Sequence, residues 1–217
     1  MVHLLFLLTG ILGTFSCTNI TSGNNTTNAS EQANNQTTAP TYNYKKLQKL
    51  AKQAALFCKN KNLNTEYCLL IDLSMHSGLN RFFIWDLNND TFIHSFPVSH
   101  GCGDNYWNED QTKEKAIFSN EDGSHCSSLG KYKVGEKGYS NWGINIKYLL
   151  HGLDESNSNA MVRQIVFHAW ENVPDNAVYP KGTPEGWGCP AISNNNFKRV
   201  HAIIKNEQKP LLMWIFN

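Results

Sequence analysis

Residues 67–98 read YCLLIDLSMHSGLNRFFIWDLNNDTFIHSFPV, and this stretch decides the fold class of the chain. It contains three short runs rich in aromatic and β-branched residues, each bounded by turn-forming residues, at 67–73, 81–87 and 91–98. The connections between the runs are too short for crossover helices. We therefore predict three strands joined as an antiparallel meander.

The rest of the folded chain adds two helices and further strands. Apolar residues recur at three- and four-residue steps over 45–60, which predicts an amphipathic helix. A second helix is predicted over 193–205, with Ser193 as its N-cap. Further strands are predicted at 130–134, 143–149, 163–167 and 211–216, and a long loop at 101–128. The fold class is thus mostly β with a few helices (α+β).

Composition limits the classes of function. The chain has 217 residues, a formal net charge of +1 and a sequence pI near 7.6. This length suits a single domain, and the near-neutral charge argues against a nucleic-acid partner or a polybasic membrane surface. With 41% hydrophobic residues, the chain is too apolar to be disordered throughout.

The N-terminal residues predict export. Leu4–Gly13 is apolar but too short to span a bilayer, so residues 1–17 are predicted to be a signal peptide. Thr14-Phe15-Ser16-Cys17 resembles a bacterial lipobox, which would make Cys17 a lipid anchor; ordinary cleavage near Cys17 is the alternative. The Asn/Thr-rich residues 18–43 predict a disordered tether, and 44–217 the folded domain.

Cysteine usage suggests a reactive thiol. Five cysteines remain after Cys17, and an odd number in an exported protein leaves at least one thiol unpaired. Nucleophilic catalysis with a histidine base is one reason for such a thiol. The other thiols could form the disulfides Cys58–Cys68 and Cys102–Cys126, and a buried free thiol is the alternative for Cys58.

Two cysteines lie in tight glycine contexts and compete for the role of nucleophile. One is in Ser99-His100-Gly101-Cys102, and the other is in Gly186-Trp187-Gly188-Cys189-Pro190, which follows His168. A zinc site built from these cysteines and histidines is a weaker alternative, because no C-x₂-C spacing is present. We therefore expect no metal and no cofactor.

The later site resembles the L,D-transpeptidase catalytic domains, which are YkuD-like. Their signature is a histidine, a spacer, and then Ser/Thr-His-Gly-Cys. His168 and Cys189 fit that spacing, with Gly186 in place of Ser/Thr and Trp187 in place of the second histidine. Residues 99–102 match the last four letters of the signature but have no histidine at the right distance before them.

A Bacteroidetes-type branch, the murein L,D-transpeptidase catalytic domains, is similar over residues 65–217. Five ordered motifs carry this resemblance. They are His100-Gly101-Cys102, Phe118-Ser119-Asn120, Ser127-Ser128-Leu129-Gly130, Arg163 with His168, and Trp187-Gly188-Cys189-Pro190-Ala191. The branch usually has Arg-Ser before the tryptophan, where this chain has Glu185-Gly186.

The resemblance implies a β-sandwich fold and a cysteine acyl transferase. Cys189 would be the nucleophile and His168 its base, an imidazolium beside the thiol would lower the thiol pKa, and the amides of Gly188 and Cys189 would face the oxyanion. The substrate-contact candidates are His100, Ser127, Ser128, Gly130, Arg163 and Trp187. Arg163 could instead form an ion pair with Asp154 or Glu155.

The implied substrate is the peptidoglycan stem peptide. A tetrapeptide stem would lose its D-alanine and be joined to an amine, forming a 3→3 cross-link at the periplasmic face of the cell envelope. An L,D-carboxypeptidase with the same residues is one alternative, and an inactive binding module at the cell surface is another. We expect a monomer.

Overall fold

A computed structural model of the chain describes residues 41–104 and 114–217. The predicted signal peptide, Cys17 and all of the predicted tether except its last three residues lie outside the described residues. Within the described ranges, no helix has both the length and the apolar character needed to cross a membrane.

The described chain forms one eight-stranded sheet and two helices. The helices are α1 (Tyr44–Asn60) and α2 (Asn194–Asn206), and a short 3₁₀ helix spans Glu155–Asn157. The strands are β1 (Tyr67–Asp72), β2 (Phe82–Asp86), β3 (Thr91–Phe96), β4 (Gly130–Tyr139), β5 (Ile146–Gly152), β6 (Val166–Ala169), β7 (Ala191–Ile192) and β8 (Leu212–Phe216). The strand order is β3-β2-β1-β8-β4-β5-β6-β7.

The predicted meander is confirmed. β1 pairs antiparallel with β2, and β2 pairs antiparallel with β3. The C-terminal strand β8 completes the centre of the sheet, since it lies parallel to β1 and antiparallel to β4. The predicted mostly-β class with two helices is also confirmed.

The sheet curls so that its two ends meet. Phe82 of β2 stacks on Phe167 of β6, with ring centroids 5.7 Å apart, inside the large apolar core. After β3, the amide of Ser99 donates to the carbonyl of Ala191 in β7, at 2.8 Å. Strands from opposite ends of one sheet therefore enclose the core between them, in the manner of the expected sandwich.

Both helices follow the sequence expectation. The side chain of Asn43 caps α1 by accepting from the Lys46 amide, and one apolar face of α1 is buried against β1, β2 and β8. The N-cap of α2 is Ser193, which accepts from the Asn196 amide at 3.2 Å. Phe197 and Val200 of α2 are fully buried in the large core.

Strand boundaries differ from the prediction where the backbone turns. β6 begins at Val166 instead of residue 163, because Gln164 has φ +53°, a left-handed conformation that a strand cannot contain. β5 begins at Ile146 instead of residue 143, after Gly143 (φ +59°) and Asn145 (φ +61°). The two-residue strand β7 has too few residues for a periodic pattern, so the sequence did not reveal it.

Candidate active site

Backbone hydrogen bonds fix both ends of the segment that carries Cys189. The amide of Gly186 donates to the carbonyl of His100, and the amide of Cys102 donates to the carbonyl of Gly186, each at 2.8 Å. At the other end, Ser99 holds Ala191 through its amide and through its Oγ, which accepts from the Ala191 amide at 3.0 Å. The competing motif 99–102 is thus a structural neighbour of the 186–191 segment.

A second loop, residues 124–128, supports the Cys189 segment on another side. Ser127 Oγ accepts from the Gly101 amide at 3.1 Å and donates to the Gly188 carbonyl at 3.2 Å. Gly188 is buried with φ +97°, and a Cβ there would lie 2.5 Å from the carbonyl oxygen of Cys126. Only glycine fits this position without strain.

Arg163, three residues before β6, donates hydrogen bonds to the 119–128 loop. Its Nη1 donates to the carbonyl of Ser119 at 3.0 Å and to Ser128 Oγ. Its Nη2 donates to the carbonyl of Cys126 at 2.6 Å and to Ser124 Oγ at 3.3 Å.

The alternative ion pairs of Arg163 with Asp154 or Glu155 are wrong, because its guanidinium faces the loop. Asp154 instead pairs with Lys131, whose Nζ lies 3.2 Å from Asp154 Oδ2.

Cys189 lies along the edge of β6. Its Sγ accepts a hydrogen bond from the Val166 amide at 3.3 Å, and its side chain is partly exposed. The following residues run parallel to β6, since His168 pairs in register with Ala191 and the His168 amide donates to the Pro190 carbonyl at 3.5 Å. The sulfur is therefore held against Val166, which lies two residues before His168 in β6.

His168 is oriented by its own backbone neighbour. Its Nδ1 lies 2.9 Å from the carbonyl oxygen of Ala169, and that oxygen can only accept a hydrogen bond. The neutral ring therefore carries its proton on Nδ1. Nε2 is left unprotonated, which is the state a general base requires.

Burial keeps both groups neutral in the resting site. It raises the pKa of the Cys189 thiol, against smaller opposing effects of the Val166 amide and of the charges of Arg163 and Lys147. Burial also lowers the pKa of His168, against the hydrogen bond to Ala169. These directions are opposite to the expected lowering of the thiol pKa by an imidazolium.

The other four cysteines that the structure describes are buried free thiols. Neither the Cys58–Cys68 nor the Cys102–Cys126 disulfide is formed. Burial raises the pKa of Cys58 to about 11, so the buried-thiol alternative for Cys58 is correct. Within residues 41–104 and 114–217, no group of three or more His, Cys, Asp or Glu side chains is arranged to hold a metal ion.

The predicted substrate-contact residues differ in exposure. Trp187 is 57% exposed and its ring lies 4.9 Å from that of His125. In contrast, the side chains of Ser127 and Ser128 are buried in the loop contacts, and Gly130 is buried with φ +131° at the start of β4. As substrate contacts these residues, like Arg163, stay predictions.

His100 is fully buried in a polar network that the sequence did not reveal. Its Nδ1 lies 2.8 Å from Nη2 of Arg81, and its Nε2 lies 3.7 Å from the carboxylate of Glu185. Arg81 is itself fully buried and donates to the carbonyls of Met75 and Val98. Glu185, the residue that departs from the branch pattern, therefore lies beside the buried pair of His100 and Arg81. A substrate contact by His100 stays a prediction.

Comparison with known protein families assigns the chain to one of them. The family pattern described as L,D-transpeptidase catalytic domain matches residues 38–214. The match covers most of the chain, which therefore belongs to this family, as its motifs suggested. No curated protein sequence matches the chain.

Solved structures with a similar fold are distant in sequence. The cell-shape-determining protein Pgp2 of Campylobacter jejuni is 12% identical, with a TM-score of 0.42, over 69% of this chain and 46% of that one. Bd1075 of Bdellovibrio bacteriovorus is 15% identical, with a TM-score of 0.41, over 71% and 49%. An L,D-transpeptidase of Xylanimonas cellulosilytica is 12% identical, with a TM-score of 0.39, over 75% and 68%. The match thus spans about half the length of the first two proteins.

Proposed function

We propose that the chain is an L,D-transpeptidase that acts on peptidoglycan stem peptides through Cys189 and His168. The observation that carries this proposal is the placement of the Cys189 sulfur against β6, two residues from a histidine whose Nε2 is free of a proton. Membership of the L,D-transpeptidase catalytic domain family supplies the reaction class. Among the five described cysteines, Cys189 is the only one that is partly exposed as a residue.

Acylation would begin from a neutral pair. Cys189 Sγ attacks the carbonyl of the diamino acid's L-centre as His168 Nε2 takes the thiol proton, forming a C–S bond. The tetrahedral intermediate collapses when its C–N bond breaks, and the departing amine of D-alanine takes the proton back from His168. The donor is left as a thioester on Cys189.

Deacylation would reverse the proton movement. An acceptor amine attacks the thioester carbonyl, His168 takes one amine proton, and the C–S bond breaks as the new amide forms. The sulfur recovers its proton from His168, so the cycle needs no ATP and consumes no oxidant. Attack by water through the same steps would give the carboxypeptidase reaction.

The backbone amides of Gly188 and Cys189 would donate to the oxyanion. Among the described residues, no acceptor is present for the amide of Gly188 or for that of Cys189. The positive φ of Gly188 turns the chain directly before Cys189. The two consecutive amides at this turn would then face the oxyanion. This arrangement supports the predicted oxyanion role of both residues.

Product analysis tests the proposal. Purified protein is incubated with a disaccharide-tetrapeptide muropeptide, and the products are separated and weighed by mass spectrometry. We expect release of D-alanine and 3→3 dimers, and no conversion by Cys189→Ala. Tripeptide products without dimers would identify a carboxypeptidase, and equal conversion by Cys189→Ala would refute the site.

We further propose that the protein is exported and works at the periplasmic face of the envelope. The apolar segment at the N-terminus and the lipobox-like Thr14-Phe15-Ser16-Cys17 support this location. Membrane fractionation of wild type and Cys17→Ser tests the anchor. We expect the variant to leave the membrane fraction, whereas an unchanged distribution would argue against lipidation.

A further inference from the structure

Lys147 lies beside the proposed base in a row that crosses four strands. Gly138 of β4 pairs with Lys147 of β5, Lys147 pairs with His168 of β6, and His168 pairs with Ala191 of β7. Side chains paired in register project from the same face, with Cβ atoms of an antiparallel pair about 5 Å apart. The lysine and the histidine are therefore adjacent, between a glycine and an alanine.

The ammonium group of Lys147 is available to bind a ligand. The side chain is partly exposed, and among the described residues it has no hydrogen-bond or ion-pair partner. Its side chain extends over Gly138, since a Cβ on that glycine would lie 3.4 Å from Lys147 Cε. The other cation near the sulfur, Arg163, is occupied by the 119–128 loop.

The charge of Lys147 reaches both proposed catalytic groups. It contributes to lowering the pKa of His168 and acts against the rise in the pKa of Cys189. An anion bound by this ammonium would lie on the face of the sheet that carries His168, because Lys147 and His168 are register partners.

The donor stem presents an anion next to the bond that breaks. In a tetrapeptide stem, the leaving D-amino acid carries a free α-carboxylate, one carbon from the nitrogen of the bond that breaks. We propose that Lys147 binds this terminal carboxylate and so determines which stems are donors. This inference rests on the proposed function, and it makes tetrapeptide stems better donors than pentapeptide stems, whose carboxylate is one residue further away.

The test uses two donors that differ only at the C-terminus. One tetrapeptide muropeptide has the free α-carboxylate and the other has a C-terminal carboxamide. For wild type, we expect kcat/KM to be about 10- to 100-fold higher with the carboxylate, as for one charge-assisted hydrogen bond. For Lys147→Met, the ratio of the two kcat/KM values should fall close to one.

A neighbouring lysine gives a matched control. Lys137 precedes Gly138 on β4, is exposed, and pairs with Tyr148, so that it lies on the opposite face from Lys147. Lys137→Met should keep the wild-type ratio. An equal loss of activity with both donors in Lys147→Met would overturn the inference, and so would an unchanged ratio.

Measurements on wild type alone distinguish a failure of the Lys147 inference from a failure of the proposed function. This comparison does not depend on whether any variant folds. If it converts both donors equally, the inference about Lys147 is wrong and the proposed function stands. If it converts neither donor, the proposed function fails and the inference fails with it.

Discussion

Replacing Arg163 tests whether this residue supports the site or binds substrate. The guanidinium donates to two carbonyls, Ser119 and Cys126, and to the hydroxyls of Ser124 and Ser128. Arg163→Met removes these donors and leaves the Cys126 carbonyl without its partner, whereas the Ser119 carbonyl still accepts from Ser128 Oγ at 2.9 Å. An abandoned buried polar group costs about 1–3 kcal/mol, and partial exposure lets water replace part of the loss. We expect Arg163→Met to lower the free energy of unfolding by about 1–3 kcal/mol.

The loss should extend to activity, because the same loop contacts the Cys189 segment. Ser127 holds the Gly188 carbonyl, so a displaced loop would disturb the proposed oxyanion amides. Urea unfolding measures the stability, and steady-state kinetics measure kcat and KM. Arg163→Lys keeps the charge but cannot reproduce four donor contacts, and it should recover only part of the stability.

The opposite pattern would refute this reasoning. If Arg163→Met unfolds at the wild-type urea concentration while KM for the donor rises with kcat unchanged, then Arg163 contacts substrate. Its loop contacts would in that case contribute nothing measurable to stability.

Three further predictions concern the glycine, the thiol and the core. Gly188→Ala should lose about 2 kcal/mol or more in urea unfolding, because φ is +97° and the Cys126 carbonyl blocks a Cβ; wild-type stability would contradict the backbone geometry. Burial raises the pKa of the Cys189 thiol, so the rate of its alkylation by iodoacetamide should still increase above pH 9.0. Peptide mass mapping measures this rate at Cys189. A rate that is already constant below neutral pH would indicate a thiolate–imidazolium pair instead. Cys68→Ser places a hydroxyl in a fully buried site and should cost about 1–3 kcal/mol in thermal or urea unfolding, and an unchanged stability would show that the hydroxyl finds a partner there.

The sequence predicted the elements that have a periodic signal. The meander, both helices and the Ser193 cap could be identified because alternation and capping residues are local properties. The sheet order was not predictable, because nothing local places β8 between β1 and β4. The start of β6 was missed because the positive φ of Gln164 is imposed by tertiary structure, in a residue with no preference for it.

The order of the motifs in the sequence indicated the family, but the sequence did not predict the pKa shifts of the candidate site residues. The sequence presents the two cysteine motifs as competitors, whereas in the structure a bridge between Gly101 and Gly186 makes the two segments neighbours. The direction in which the pKa of the Cys189 thiol shifts depends on burial, and burial depends on how the 186–191 segment packs against β6. The burial of Arg81 and the proposed role of Lys147 could not be predicted, because a buried arginine and a lysine paired with the proposed base have no distinctive sequence pattern.

One measurement tests the assignment of the nucleophile most directly. Wild type, Cys189→Ala and Cys102→Ala are each incubated with a carbapenem, and the intact proteins are weighed by mass spectrometry. The account predicts a covalent adduct on wild type and on Cys102→Ala, and none on Cys189→Ala. An adduct that survives in Cys189→Ala and disappears in Cys102→Ala would show that the sulfur of Cys102 performs the reaction.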